Sequence, residues 1–127
     1  MARKVLICDD APAPQEAMAY VVRRAGYEVI TAKNGEEAVL AAKEHLPDLI
    51  LLDIDMPLKD GYQVCEEIKA DPATRGAHVL VLTAFAQEFQ KAKARACGAD
   101  EIMTKPFSPR KLGERIREIL GPGEETS

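Results

Sequence analysis

Apolar residues fall in short continuous runs rather than scattered singly. Val5-Leu6-Ile7-Cys8, Leu49-Ile50-Leu51-Leu52 and Val79-Leu80-Val81-Leu82 are unbroken between polar flanks. Such runs predict strands buried on both faces, as in a parallel sheet. Glu28-Val29-Ile30-Thr31-Ala32 is more mixed, and Glu101-Ile102-Met103-Thr104 is weaker still; both predict edge strands. Between the runs the period lengthens to that of a helix. Met18, Val21, Val22 and Ala25 form one predicted face, and Ala38, Ala41, Ala42 with His45 or Leu46 a second. Val64, Cys65 and Ile68 form a third, Phe85, Phe89, Ala92 and Ala96 a fourth, and Leu112, Ile116, Ile119 and Leu120 the last.

Boundary residues agree with this division. Pro14 suits a first helical turn and Gly26 a helix exit. Asn34 and Glu37 have capping-box spacing, Gly98 follows the fourth helix, and Ser108-Pro109 reads as N-cap and first helical residue of the fifth. Strands alternating with helices imply an α/β fold: a single doubly wound domain of five strand–helix units. Its five-stranded sheet is parallel, with helices on both faces. The domain is expected over residues 1–120, with 121–127 as a flexible C-terminal tail.

Length and composition narrow the function. At 127 residues the chain holds one ordinary domain. Its net charge is -4, whereas nucleic-acid and anionic-membrane binders carry a basic surplus. No Trp and only three Tyr and three Phe leave little for a base-stacking platform. No apolar stretch approaches the roughly 18–20 residues of a membrane span. The run after Met1-Ala2-Arg3-Lys4 is too short for a secretory signal, so a cytoplasmic location is expected. Cys8, Cys65 and Cys97 are odd in number and widely spaced, which suits small buried hydrophobes rather than a disulfide framework or zinc site.

In doubly wound folds the site lies at the carboxyl ends of the strands. Asp9 and Asp10 follow the first strand, Asp53 ends the third, Thr83 ends the fourth, and Lys105 follows the fifth. Two unit charges about 4 Å apart repel by roughly 4 kcal/mol at an effective dielectric near 20. Three carboxylates on one rim therefore call for a cation, and a hard divalent ion such as Mg²⁺ fits oxygen ligands where phosphate is also bound. Beside it, a carboxylate can attack phosphorus while Lys105 and the Thr83 hydroxyl hold the transferring oxygens. The chemistry implied is phosphoryl transfer onto Asp53.

These residues resemble the receiver domains of bacterial two-component response regulators. The resemblance rests on Asp9-Asp10, Asp53-Ile54-Asp55-Met56-Pro57-x-x-Asp60-Gly61, Thr83-Ala84 and Lys105-Pro106-Phe107, and extends over residues 4–120. It implies that Asp53 is the phosphoacceptor and that Asp10 ligates Mg²⁺ directly, with Mn²⁺ a substitute. Asp9 would act mainly through water, and the backbone carbonyl of Asp55 would complete the ligands. It further implies a strand order of 2-1-3-4-5, that Thr83 and Lys105 hold the phosphoryl oxygens, that the Lys105–Pro106 bond is cis, and that Ala84 leaves the phosphoryl group a way in. Gly61 would take a turn conformation that a Cβ opposes. Expected partners are a sensor histidine kinase or phosphotransfer protein and a downstream protein at the fourth helix, fifth strand and fifth helix. Direct nucleic-acid binding and membrane association are not expected. The domain would catalyse its own phosphorylation and dephosphorylation without being a metabolic enzyme.

Some positions depart from common receiver patterns or tune them. Ile102 stands where an aromatic residue often swings inward, so a smaller change around the fifth strand is expected. Phe85 and Asp55 flank the path of attacking water with opposed effects on phosphoryl lifetime. Glu101 and Arg115 match a cross-subunit ion pair of receiver dimers, but Lys91 and Lys111 are both basic where opposite charges pair, so a monomer or weak dimer is expected. A second function class is a haloacid-dehalogenase-like phosphatase, since Asp53-Ile54-Asp55 echoes its D-x-D nucleophile motif; the chain lacks length for a substrate cap. A flavodoxin-like cofactor site is disfavoured by the acidic Asp9-Asp10-Ala11-Pro12 loop, which repels phosphate and lacks donors.

Overall fold

The computed structural model describes residues 3–54, 61–84 and 87–121. Within them the chain alternates without exception: β1 (Lys4–Cys8), α1 (Pro12–Arg24), β2 (Glu28–Ala32), α2 (Gly35–His45), β3 (Leu49–Asp53), α3 (Gly61–Ala70), β4 (His78–Thr83), α4 (Glu88–Ala96), β5 (Glu101–Thr104) and α5 (Pro109–Leu120). All pairings are parallel, and the order is β2-β1-β3-β4-β5. The expected fold class is therefore the observed one. Asp55, Met56, Pro57, Asp60 and Phe85 lie outside the described residues, as does the tail from residue 122.

The apolar runs explain the layering. Successive strand side chains point to opposite faces, so each run supplies two cores. Leu6, Cys8, Ile50, Leu52, Val79 and Val81 meet residues of α2 and α3 on one face. Val5, Ile7, Leu49, Leu51, Leu80 and Leu82 meet α1 and α5 on the other. Every residue of β3 is buried. Each such Leu or Ile contributes about 1.5–3 kcal/mol relative to an exposed position. The edge strands β2 and β5 are only partly covered.

Local chemistry sets the helix ends. Asn34 Oδ1 accepts from Glu37 N at 2.9 Å, and Glu37 Oε1 accepts from Lys33 N at 3.1 Å. Ser108 Oγ accepts from Lys111 N at 3.0 Å, with Pro109 opening α5. Gly26 and Gly98 both turn the chain at φ 94. Leu46 is a correction: it is the left-handed C-cap of α2 at φ 49 and largely exposed, not part of the apolar face. Val39 takes its place in the core.

The α4 face is a second correction. Phe89, Ala92 and Ala96 are exposed, and the buried positions are Ala94 and the C-cap Cys97. Small side chains there let the helix approach its neighbours, whereas the Phe89 ring, 71% exposed, is left outside. All three cysteines are buried thiols outside any disulfide, as expected.

Candidate functional site

Parallel pairing delivers the carboxyl ends of the strands to one rim. Asp53, the last residue of β3, pairs with Leu82, so Thr83 lies one step further along the neighbouring strand. Thr83 in turn pairs with Thr104, and Lys105 N donates to Thr83 O at 2.7 Å. β1 lies on the other side of β3 and carries Asp9 and Asp10 just beyond Cys8.

The three carboxylates converge. One oxygen from each of Asp9, Asp10 and Asp53 lies within 4.8 Å of the others. Asp9 is 2% exposed and Asp53 4%, while Asp10 faces solvent. Lys105 Nζ sits 3.0 Å from Asp53 Oδ2. Thr83 is fully buried at the same rim. The Lys105–Pro106 peptide bond is cis.

Asp9 Oδ1 accepts from Ala11 N at 2.9 Å, and its buried Oδ2 has no hydrogen-bond partner among the described residues. Burial pushes its carboxyl above the ordinary value of 3.8; the Ala11 N–H opposes this, the Asp53 charge adds to it, Lys105 opposes it, and Asp10 adds to it. A buried orphan oxygen beside two further carboxylates is costly unless a cation or proton reaches it. Oxygen-only donors of this charge fit a hard divalent ion such as Mg²⁺. Beneath them the Cys8 thiol is fully buried, and burial first, then the charges of Asp9 and Asp53, pushes it above its usual range.

Sequence reasoning named every member of this cluster but missed what fixes it. Gln15 Nε2 donates to Asp9 O at 3.2 Å and to Ala32 O at 3.0 Å. A lone Gln on a helix carries no signal of such a role. Beside the cluster, a cleft of about 340 Å³ opens between α1 and α5, with Asp9 and Lys105 at its rim and Pro14, Met18, Phe107 and Leu112 among its walls.

Gly61, the first residue of α3, has no room for a side chain: a Cβ would stand 2.4 Å from Ile54 Cα. Close approach of α3 to the residue after Asp53 is what requires glycine. Glu101 and Arg115, expected as partners across a dimer, form a bidentate pair within one chain. Glu101 also lies 3.5 Å from His78 Nε2.

The fold is thus a doubly wound domain with three carboxylates and a lysine gathered at the carboxyl ends of its strands. The family model described as the response regulator receiver domain matches residues 5–117, and the chain belongs to that family. It is 41% identical over 98% of its length to the alkaline phosphatase synthesis transcriptional regulatory protein PhoP of Bacillus subtilis, covering 51% of that protein. It is 37% identical over 96% of its length to the phosphate regulon transcriptional regulatory protein PhoB of Pseudomonas aeruginosa, covering 55% of it. The chain thus spans about half the length of the curated relatives it matches. Among solved structures, a putative response regulator from Chloroflexus aurantiacus has TM-score 0.87 and 36% identity, over 94% of this chain and 98% of that one. Chemotaxis protein CheY4 of Vibrio cholerae has TM-score 0.89 and 29% identity, over 94% and 100%. The receiver domain of a Pseudomonas aeruginosa sensor histidine kinase, with magnesium coordinated in its active-site cleft, has TM-score 0.86 and 28% identity, over 95% and 99%.

Proposed function

We propose that Asp53 accepts a phosphoryl group from the phosphohistidine of a sensor histidine kinase or phosphotransfer protein. The observation that carries this reading is the convergence of Asp9, Asp10 and Asp53 within 4.8 Å, with Lys105 3.0 Å from Asp53. An oxygen of Asp53 attacks phosphorus, the P–N bond to the donor imidazole breaks, and the imidazole keeps the electron pair. Asp9, Asp10 and Asp53 are the side chains that would hold Mg²⁺ or Mn²⁺, with the Asp55 carbonyl assigned by family likeness. When bound, the cation neutralises charge on the transferring phosphoryl oxygens. Lys105 leaves Asp53 for a phosphoryl oxygen as the acyl phosphate forms, since a carboxylate that becomes a mixed anhydride loses its charge. Thr83 donates its hydroxyl to another oxygen. The same groups assist hydrolysis of the acyl phosphate.

The receiver unit is assigned to residues 1–120, and its output to the face of α4, β5 and α5. Ile102 on that face is partly buried and packs against the core. Because Glu101 and Arg115 are paired within the chain and Lys91 and Lys111 share a sign, a monomer or weak dimer is the proposed state. The proposed output partner is a protein rather than nucleic acid. Among the described residues no helix is long and apolar enough to cross a membrane, and a cytoplasmic location is proposed.

Incubation with radiolabelled acetyl phosphate and Mg²⁺ tests the reaction. At most one label per chain, followed by slow loss, supports the receiver reading. Sustained turnover of p-nitrophenyl phosphate would instead support a phosphatase. Sedimentation with and without beryllofluoride tests the oligomeric state; a tight dimer in either condition would contradict the assignment.

A further inference from the structure

The geometry points to Gln15 as a positioning residue for cation binding at Asp9, an inference that rests on the reading of the three carboxylates as a cation site. Gln15 stands in the first turn of α1, and its single Nε2 donates to Asp9 O at 3.2 Å and Ala32 O at 3.0 Å. Asp9 N donates to the same Ala32 carbonyl at 3.1 Å. That oxygen has two lone pairs and serves both donors. The amide therefore bridges the ends of β1 and β2 just where the acidic pair begins.

The bridge matters because it holds the one main-chain atom of Asp9, its carbonyl, that the strand pairing leaves to a side chain. The N-cap of α1 is Ala11, which makes no side-chain capping bond. Ala11 N is directed to Asp9 Oδ1 at 2.9 Å instead. Asp9 is thus fixed at three atoms: its N–H by Ala32, its carbonyl by Gln15 and one carboxylate oxygen by Ala11. With the main chain held, the bond from Ala11 N to Oδ1 keeps the carboxylate turned so that the unpartnered Oδ2 stays beside Asp10 and Asp53 despite their repulsion. Gln15 holds the cation ligand in its repelled, binding-ready pose. Partners that orient metal ligands typically change affinity by about 10–100-fold when removed. Gln15 acts through the carbonyl of the ligand residue rather than on its carboxylate, so the lower end, about tenfold, is expected.

Mn²⁺ is the probe. Its binding to the full chain is followed by the electron paramagnetic resonance signal of free Mn²⁺ for wild type, Gln15→Met and Gln15→Asn. Methionine keeps the length without donors; asparagine keeps the amide but is one methylene too short to bridge both carbonyls. The dissociation constant should rise about tenfold in both variants. An unchanged constant in the folded variants, with or without a lower melting temperature in EDTA, would overturn the inference. So would wild-type affinity in Gln15→Asn beside weakened Gln15→Met. Should Gln15→Met fail to fold, Gln15→Asn decides alone. Failure of wild type to bind Mn²⁺ would overturn the cation-site reading itself, whereas tight wild-type binding with unaltered variants overturns only the role of Gln15.

Discussion

Asp9→Asn should stabilise the protein when divalent cations are absent and abolish most of the gain when they are present. The carboxylate it removes is 2% exposed and lies within 4.8 Å of oxygens from Asp10 and Asp53. At that distance two unit charges repel by about 3.5 kcal/mol at an effective dielectric of 20. Lys105 already offsets Asp53 from 3.0 Å, and Asp10 is exposed and screened by water. The net relief is then about 1–2 kcal/mol. Asparagine retains an oxygen to accept from Ala11 N, and its NH₂ can donate into the cluster, so no new orphan is created. A domain of this size gains about 3–5 °C in melting temperature per kcal/mol. Thermal melts in EDTA should therefore place the variant roughly 3–10 °C above wild type. Mg²⁺ at tenfold its dissociation constant should stabilise wild type by about 1.4 kcal/mol and the variant far less. A variant melting below wild type in EDTA, or gaining as much from Mg²⁺, would refute the argument that the cluster is held under repulsion for a cation.

Gly61→Ala should cost about 1–3 kcal/mol in chemical denaturation, because the new Cβ meets backbone at Ile54 Cα rather than a movable side-chain end; an unchanged midpoint would show that α3 can retreat. Ser108→Ala should cost about 1 kcal/mol through loss of the bond from Lys111 N, read by the same denaturation. Acid sensitivity should fall when the Glu101 pair is removed. The Arg115 bond lowers the Glu101 carboxyl below 4.5 more than burial raises it. For Asp100, burial alone would raise the carboxyl, but bonds from Lys69 and Val79 N bring it below 3.8. Both carboxyls bind protons less tightly when folded, so their contribution is present at neutral pH and lost as pH falls below about 4 through the lowered folded values. Glu101→Gln should flatten that part of the pH–stability curve, and an unchanged slope would count against the pair's contribution.

The strands and the rim residues were legible because each depends on local pattern, whereas the strand order came with the receiver resemblance. Unbroken runs such as Leu49–Leu52, short and set between polar flanks, read as strands covered on both faces, and the topology then assembles Asp9, Asp10, Asp53, Thr83 and Lys105. Caps at Asn34 and Ser108 were legible for the same reason. What escaped depends on distant partners. The spacing of Phe89, Ala92 and Ala96 is helical, yet the burial of α4 is decided by Ala94 and Cys97 meeting the rest of the fold. Lys69 looks like a solvated helix lysine, but its ammonium reaches Ala77 O at 2.7 Å and Asp100 at 2.8 Å, and its stem lies 2.9 Å from where a Cβ on Gly98 would stand. Gln15 ties two strand ends separated by most of a βαβ unit. No periodicity announces such contacts.

The central claim is that Asp53 takes the phosphoryl group with help from a divalent cation. Labelling of wild type and Asp53→Asn by acetyl phosphate, with Mg²⁺ and with EDTA, tests it most directly. The account predicts label on wild type in Mg²⁺ alone; equal labelling of both proteins, or labelling indifferent to EDTA, would contradict it.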